Sequence, residues 1–109
     1  TEIYTLSLHD ALPILGVVGR LGGEEFLLVL VDCPLPDAVE LAQDVRDAVS
    51  KLHVEVGNGA VTATASIGVA SLCEVPSRSS ADLLRIADWR MYQAKKAGRD
   101  QVCWIGTSA

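Results

Sequence analysis

Four consecutive residues carry the side chains best suited to chemistry in this 109-residue sequence. The run Gly22-Gly23-Glu24-Glu25, called here the acidic turn, places two carboxylates directly after two glycines. Glycine has no Cβ, so its backbone can approach a phosphate closely. Mg²⁺ binds one or two carboxylates together with substrate oxygens, and can stabilise the attacking and leaving oxygens at a phosphate. Most such runs are exposed hairpin turns without chemistry, and short motifs often match by chance, so the four residues alone favour an ordinary turn over a catalytic site.

Two predicted strands place the acidic turn at the tip of a β-hairpin. Residues 17–18 open a short strand, and Phe26–Val31 is apolar at every position, which is typical of a strand buried on both faces. The two glycines supply the positive φ that a tight hairpin turn needs. We therefore expect both glutamates to be solvent-accessible, with the second strand buried behind them.

The rest of the chain alternates between helical and extended patterns. Helical spacing predicts a helix over 37–52 and another that begins after Ser79 and ends at Gly98. Strand patterns cover 53–56, 61–70 and 101–105, with a hairpin turn at 57–59. The small residues of 61–70 would let a helix or ligand approach closely. This order predicts an α/β fold, a two-layer or three-layer sandwich whose helices cover a mostly antiparallel central sheet.

Three separated motifs resemble those of the GGDEF domain. Arg20 and Phe26 flank the acidic turn, Ser66–Ala70 reads Ser-Ile-Gly-Val-Ala, and residues 94–100 read Ala-Lys-Lys-Ala-Gly-Arg-Asp. In this order they make residues 17–103 similar to the back portion of a GGDEF domain, the catalytic domain that makes cyclic di-GMP from two GTP molecules. The resemblance implies a partial, nucleotide-cyclase-like GGDEF fold.

The resemblance also implies a role for each matching residue. Glu24 matches a catalytic metal ligand for Mg²⁺ or Mn²⁺, and Glu25 matches a second acidic position needed for activity. Gly22 and Gly23 match residues that line the triphosphate. A basic pair that contacts the terminal phosphates is matched by Lys95 and Arg99. Four residues apart at a helix end, these two could share a triphosphate, although positive charge is also favoured at a helix C-terminus without any ligand.

Side chains of the closing helix divide into packing and polar roles. We expect Met91 and Tyr92 in the core, Trp89 partly exposed, and Asp88 in a structural hydrogen bond.

The enzyme that the resemblance implies is a GTP-dependent diguanylate cyclase acting as a homodimer, with each 3′-hydroxyl attacking the other α-phosphate and pyrophosphate leaving. The alternative is a non-catalytic GGDEF module that binds nucleotide or a protein partner. Degenerate modules of that kind usually lose the signature, which is intact here as Gly-Gly-Glu-Glu-Phe.

Residues 1–14 differ in character from the rest of the chain. They match, residue for residue, an in-frame translation of a common sequencing adapter, which predicts a non-native segment with few contacts to the core. Residues 15–109 are then a truncated GGDEF domain without its leading portion, which in the family supplies a metal-binding aspartate and the residues that read guanine. The family's inhibitory Arg-x-x-Asp would fall on Pro13 and Gly16, and neither matches.

Composition narrows the function classes further. A formal net charge of −5 argues against nucleic-acid binding, and no apolar run is long enough to cross a bilayer. We therefore expect a cytoplasmic domain, whose parent could be membrane-anchored through other domains. Cys33, Cys73 and Cys103 are odd in number and widely spaced, which predicts reduced thiols packed as small buried side chains.

Overall fold

Seven strands and two α-helices form within residues 2–8 and 18–106, the part of the chain that this computed structural model describes. In chain order they are β1 Glu2–Leu8, β2 Val18–Gly22, β3 Glu25–Val31, α1 Leu35–Ser50, β4 Val54–Val56, β5 Gly59–Val61, β6 Ser66–Ser71, α2 Ser80–Lys96 and β7 Gln101–Cys103. A 3-10 turn, Leu72–Glu74, joins β6 to α2. Among these elements, no helix is long and apolar enough to span a bilayer.

Five strands form the main sheet in the order β2-β3-β1-β6-β7, and β4 and β5 form a separate hairpin. Both hairpins, β2–β3 and β4–β5, are antiparallel as expected. The ladders β1–β3, β1–β6 and β6–β7 are parallel. The α/β class is thus confirmed, but the antiparallel character holds for the hairpins only. The physical reason is that a crossover helix such as α2 returns the chain to the same end of the sheet, which makes the strands it joins parallel.

The strand β1 corrects the expectation that residues 1–14 make few contacts with the core. Its backbone lies at the centre of the sheet, in register with β3 from Glu2↔Glu25 to Leu8↔Val31 and with β6 from Glu2↔Ser66 to Ser7↔Ser71. A strand at this position needs only an extended backbone that pairs on both sides, and the sequence Glu-Ile-Tyr-Thr-Leu-Ser-Leu is rich in residues that favour strands. Residues 9–14 and Val17 lie outside the described residues.

The two helices cover opposite faces of the sheet, which makes a three-layer sandwich. On β3, Phe26 and Leu28 pack on the cluster that includes Ala38 and Ala42 of α1, while Leu27 and Val29 pack on the cluster that includes Leu83 and Met91 of α2. Successive residues of a strand point to opposite faces, so α1 and α2 are on different sides. Both helices contact β6 more than any other strand.

Burial of β3 is therefore less complete than its sequence predicts. Leu30 is buried, but the rest of β3 is only half-buried because both helices lie mainly over β6.

Local sequence determines where each helix begins. At α1, Pro34 occupies the N-cap position in extended conformation, and Asp37 lies in the first turn, where a carboxylate is favoured. The helix α2 begins directly after Ser79, as predicted, and the Ser79 hydroxyl accepts a hydrogen bond from the Asp82 amide. Hydrogen bonds from Ser77 and then Arg85 hold the pKa of the Asp82 carboxyl below its usual range.

Gly68 explains how closely α2 packs on the sheet. A Cβ at this position would overlap the Ala87 carbonyl oxygen and the Met91 amide nitrogen, both of which belong to the backbone of α2. The close helix approach predicted for residues 61–70 is confirmed at this glycine. The predicted strand itself is divided, because β5 ends at Val61 and β6 begins at Ser66.

Several packing predictions can be compared with the observed burial. Met91 is buried and Trp89 is partly exposed, both as expected, but Tyr92 is exposed rather than in the core. Tyr92 lies on the solvent side of α2, where Nζ of Lys96 is 5.7 Å from the centroid of its ring, within the range of a cation–π interaction.

The three cysteines are free thiols, as predicted, but none is buried. Cys73 is exposed in the 3-10 turn. Cys33 and Cys103 are half-buried, because Cys33 lies just beyond the end of β3 and Cys103 is the last residue of β7. Partial burial is the main cause that raises the pKa of the Cys33 thiol, and the negative charges of Asp37 and Asp32 raise it further.

Candidate functional site

The acidic turn lies at the tip of the β2–β3 hairpin, as predicted. Gly22 and Gly23 have φ of 153° and 49°, values that residues with a side chain rarely adopt. A Cβ at either glycine would meet no atom within 4 Å. Backbone conformation, and not crowding, therefore requires glycine here. Glu24 is exposed and Glu25 is half-buried at the first position of β3, so a ligand could reach the tip from solvent.

Arg20 braces this turn from within the hairpin. Its Nε and Nη2 donate to the Gly23 carbonyl oxygen at 2.8 and 2.5 Å. The pairing of β2 with β3 shifts between Arg20 and Gly22, so Leu21 is an extra residue in the ladder and is 51% exposed. The bulge and the arginine contact together set the direction in which the two glutamates leave the sheet.

The predicted basic pair lies where α2 ends. Lys95 is half-buried in the last turn, and Arg99 is exposed in the loop before β7. The Arg99 amide donates to the Ala94 carbonyl at 3.0 Å, and the Gln101 side chain donates to the Arg99 carbonyl at 3.1 Å. These contacts fix the backbone of the basic pair at the end of the helix.

Both groups occupy the same edge of the sheet. Glu25 pairs with Glu2, Glu2 with Ser66, and Ser66 with Gln101, so these residues form one row across β3, β1, β6 and β7. The acidic turn ends in this row at Glu25, and on the other side Arg99 of the basic pair lies shortly before Gln101 in the loop that leads into β7. Three strand spacings separate the backbones of Glu25 and Gln101 by about 14 Å. The sheet thus brings the groups to one edge without direct contact.

The acidic turn offers carboxylate oxygens, the type of ligand that Mg²⁺ prefers. Within the described residues, no group of three or more His, Cys, Asp or Glu side chains could hold a metal ion. Two adjacent carboxylates at an exposed turn nevertheless fit Mg²⁺, which takes its other ligands from water and substrate phosphates. Glu24 and Glu25 therefore fit part of a metal site.

Next to the turn, a cavity of about 420 Å³ lies between Leu21 and α2. Its remaining lining residues are Ala81, Leu84, Arg85 and Asp88. This concavity adjoins the acidic turn and is mainly apolar, so it could accept a planar, weakly polar group more readily than a phosphate.

Two arginines that the sequence patterns do not single out form hydrogen bonds between separate segments of the chain. Arg90, 3% exposed, donates to the Glu74 carboxylate at 2.9 and 3.0 Å and to the Val69 and Gly106 carbonyls, each at 2.9 Å. Arg46 of α1 contacts Asp100 in the loop after α2. Neither lies in a short motif, and only the fold brings these partners together.

Comparison with known proteins gives one family and several relatives. The family described as "Diguanylate cyclase, GGDEF domain" matches residues 5–101. The match begins inside the segment for which a non-native origin is predicted, and that origin stays a prediction.

Among curated proteins, the chain is 40% identical over 103 residues to Rv1354c of Mycobacterium tuberculosis, covering 93% of this chain and 16% of that protein. It is 35% identical over 108 residues to the response regulator PleD of Caulobacter vibrioides, covering 97% and 23%. It is 35% identical over 88 residues to YhcK of Bacillus subtilis, covering 78% and 24%. The chain thus spans less than a quarter of the length of each of these relatives.

Proposed function

The chain belongs to the GGDEF family of diguanylate cyclase domains, and from this premise we propose that its parent protein condenses two GTP molecules to cyclic di-GMP with release of pyrophosphate. The observation that carries the proposal is the intact acidic turn. It lies exposed at the tip of a hairpin whose two glycines have φ values that other residues rarely adopt. Carboxylates that hold a metal need a rigid support that leaves them accessible to solvent, and the hairpin tip provides one.

Glu24 would hold the metal, with Glu25 beside it as the second acidic group. When bound, Mg²⁺ or Mn²⁺ supplies positive charge that stabilises the attacking and leaving oxygens. Gly22 and Gly23 have no Cβ, so the phosphate chain can approach their backbone closely. Arg20 keeps this geometry by holding the Gly23 carbonyl, which limits the movement of the carboxylates when substrate arrives.

Lys95 and Arg99 would bind the terminal phosphates of GTP. Both are cations at the end of α2, on the same sheet edge as the acidic turn. An extended triphosphate could run along this edge, with its α-phosphate near Glu24 and its far end near the basic pair. The separation of about 14 Å between the backbones of the two groups is bridged by the long side chains together with the ligand.

A leading portion of the domain would complete this site. Residues 18–106 offer carboxylates at the turn and cations at the helix end, but no group of three or more His, Cys, Asp or Glu side chains among the described residues could hold a metal ion. We propose that a partner carboxylate and the guanine-reading residues come from a portion of the GGDEF domain ahead of residue 15. The enzyme would act as a homodimer, with one nucleotide on each subunit and each hydroxyl attacking across the two-fold axis.

A non-catalytic GGDEF module is the competing function. It would bind nucleotide or a protein partner through the same surface and make no product. The two functions differ in their requirement for Glu24, since binding through Lys95 and Arg99 does not need a carboxylate at the turn.

The test is Glu24→Gln in a domain rebuilt with a complete leading portion. We expect the variant to lose cyclic di-GMP production, measured by product chromatography, while its unfolding midpoint is unchanged, because an exposed turn residue contributes little to stability. Glu55→Gln, which removes an exposed glutamate on β4, is the matched control and should keep full activity. Unchanged product formation by Glu24→Gln would favour the non-catalytic function.

A further inference from the structure

The loop that carries Arg99 has an unusual backbone. Gly98, Arg99 and Asp100 have φ of 126°, 65° and 50°, three consecutive residues in the left-handed region. For residues with a Cβ this conformation is strained, because the Cβ lies too close to the following carbonyl oxygen. Such strain persists only where surrounding contacts hold the backbone in place.

A single side chain from α1 supplies such a contact. Nη1 of Arg46 donates to the Asp100 carbonyl oxygen at 3.3 Å and to the Asp100 carboxylate at 3.1 Å. Nη2 of the same guanidinium donates to the Asp47 carboxylate at 2.5 Å, which fixes its orientation. With 28% of its side chain exposed, Arg46 is partly shielded from solvent, so its bonds to Asp100 are stronger than those of a fully exposed ion pair.

We propose that Arg46 is a positioning residue for the phosphate-binding end of the site. It holds the backbone and side chain of Asp100, which keeps the preceding Arg99 in its left-handed conformation beside Lys95 at the sheet edge. This inference rests on the proposed function for the role of the basic pair, but its structural part does not.

The chain path gives this contact a second consequence. The helix α1 starts at Leu35, directly after β3, and the acidic turn immediately precedes β3. Arg46 therefore connects the segment that carries the acidic turn to the loop that carries Arg99, across 54 residues of sequence. The guanidinium thus adds a side-chain contact between these two segments to the strand pairing that places both groups at one edge of the sheet.

The structural part is tested by NMR on the 109-residue chain without ligand. In Arg46→Gln, the Cα and Cβ shifts of Arg99 and Asp100 should move away from left-handed values, while those of β6 stay unchanged. Lys51→Gln removes one exposed cation at the end of the same helix and should leave both loop residues unchanged. Asp100→Asn keeps an acceptor and tolerates positive φ, so it should also preserve the loop.

The functional part is tested by titrating inorganic tripolyphosphate into the same proteins. The Arg46→Gln variant should bind tripolyphosphate about tenfold more weakly than the wild type, because its loop is no longer fixed. A factor of this size corresponds to the cost of ordering one or two long side chains on binding. Lys51→Gln has the same net charge and should bind nearly as well as the wild type, because a distant surface charge acts only through screened attraction. Arg99→Gln should lose at least as much affinity as Arg46→Gln.

The outcomes separate the two claims. If Arg99→Gln weakens binding but Arg46→Gln does not, or if Arg46→Gln leaves the loop shifts in place, the positioning role is overturned and the proposed function stands. If Arg46→Gln releases the loop but neither Lys95→Gln nor Arg99→Gln changes binding, the phosphate site of the proposed function is overturned. Equal weakening by Arg46→Gln and Lys51→Gln would show that charge alone acts, which also overturns the positioning role.

Discussion

Arg90 is the one charged side chain that is buried among residues 19–106, and its guanidinium donates to oxygen acceptors on three separate segments. It joins α2 to β6 through Val69, to the 3-10 turn through Glu74, and to the C-terminal segment through Gly106. Glu74 in turn accepts from the Ser71 amide at 2.8 Å. A buried charge with this many hydrogen bonds is satisfied, and removing it leaves several acceptors without a donor.

We predict that Arg90→Ala lowers the free energy of unfolding by about 3–5 kcal/mol, because the Glu74 carboxylate and two carbonyl groups lose their partner. Urea denaturation followed by circular dichroism measures the change. Arg85→Ala, at a guanidinium whose side chain is 60% exposed, is the control and should change stability by less than about 1 kcal/mol. A similar loss in both variants would contradict this account of Arg90.

Sequence patterns identify some of the residues that form the core and the candidate site, and miss others. Met91 and Tyr92 are adjacent and both large, yet only Met91 faces the core, because the helix rotates about 100° per residue. The position of the acidic turn was predictable because a glycine pair between two strand patterns is typical of a hairpin turn. Arg90 and Arg46 were not, since an arginine in a helix looks the same in sequence whether it is exposed or pairs with a residue 54 positions away.

At the scale of elements, the contact between α2 and β6 fixes the helix that carries Lys95 on the main sheet. The helix α2 carries Lys95 at one end, and its packing on β6 depends on the absence of a side chain at Gly68. Backbone atoms of α2 fill the space that a Cβ would need, and backbone atoms cannot rotate away as a flexible side chain can.

Gly68→Ala should therefore destabilise the fold by about 3 kcal/mol, since the helix must move off the sheet to admit one methyl group. Thermal unfolding measures the effect. Gly19→Ala is the matched control, because a Cβ there meets nothing within 4 Å and no positive φ is required. If Gly68→Ala unfolds at the same temperature as Gly19→Ala, the close approach of α2 to β6 is wrong.

Most elements were predictable from local patterns, and the failures have physical causes. The two hairpins and both helices follow from turn glycines, caps and apolar spacing. The parallel ladders do not, because pairing between β1, β3 and β6 depends on backbone geometry between distant segments. The pattern of residues 2–8 is compatible with a strand, but a match to an adapter translation concerns the origin of a segment and carries no information about its conformation.

At the scale of the molecule, the sheet depends on β1. Without this strand, β3 and β6 would each expose a row of unpaired backbone donors and acceptors at the centre of the fold. Backbone pairing places few demands on side chains, so the position of β1 is compatible with the non-native origin that the sequence predicts for residues 1–14.

We predict that a chain lacking residues 1–8 loses its cooperative unfolding transition and aggregates, as followed by circular dichroism and size-exclusion chromatography. Removing residues 107–109 is the control and should leave both measurements unchanged. A monomeric shortened chain with an unaltered transition would instead support the expectation that residues 1–14 make few contacts with the core.

We propose that residues 18–106 carry the metal and phosphate half of a cyclase site and need a leading portion for turnover. The most direct measurement compares cyclic di-GMP formation from GTP and Mg²⁺ by two purified proteins. One is the 109-residue chain, and the other is residues 18–106 joined to the leading portion of an active GGDEF domain. We predict no detectable product from the first and sustained product from the second, because lost positioning and lost metal coordination each remove orders of magnitude in rate. Robust turnover by the 109-residue chain, or a folded, GTP-binding dimer of the joined protein that makes no product, would contradict the account.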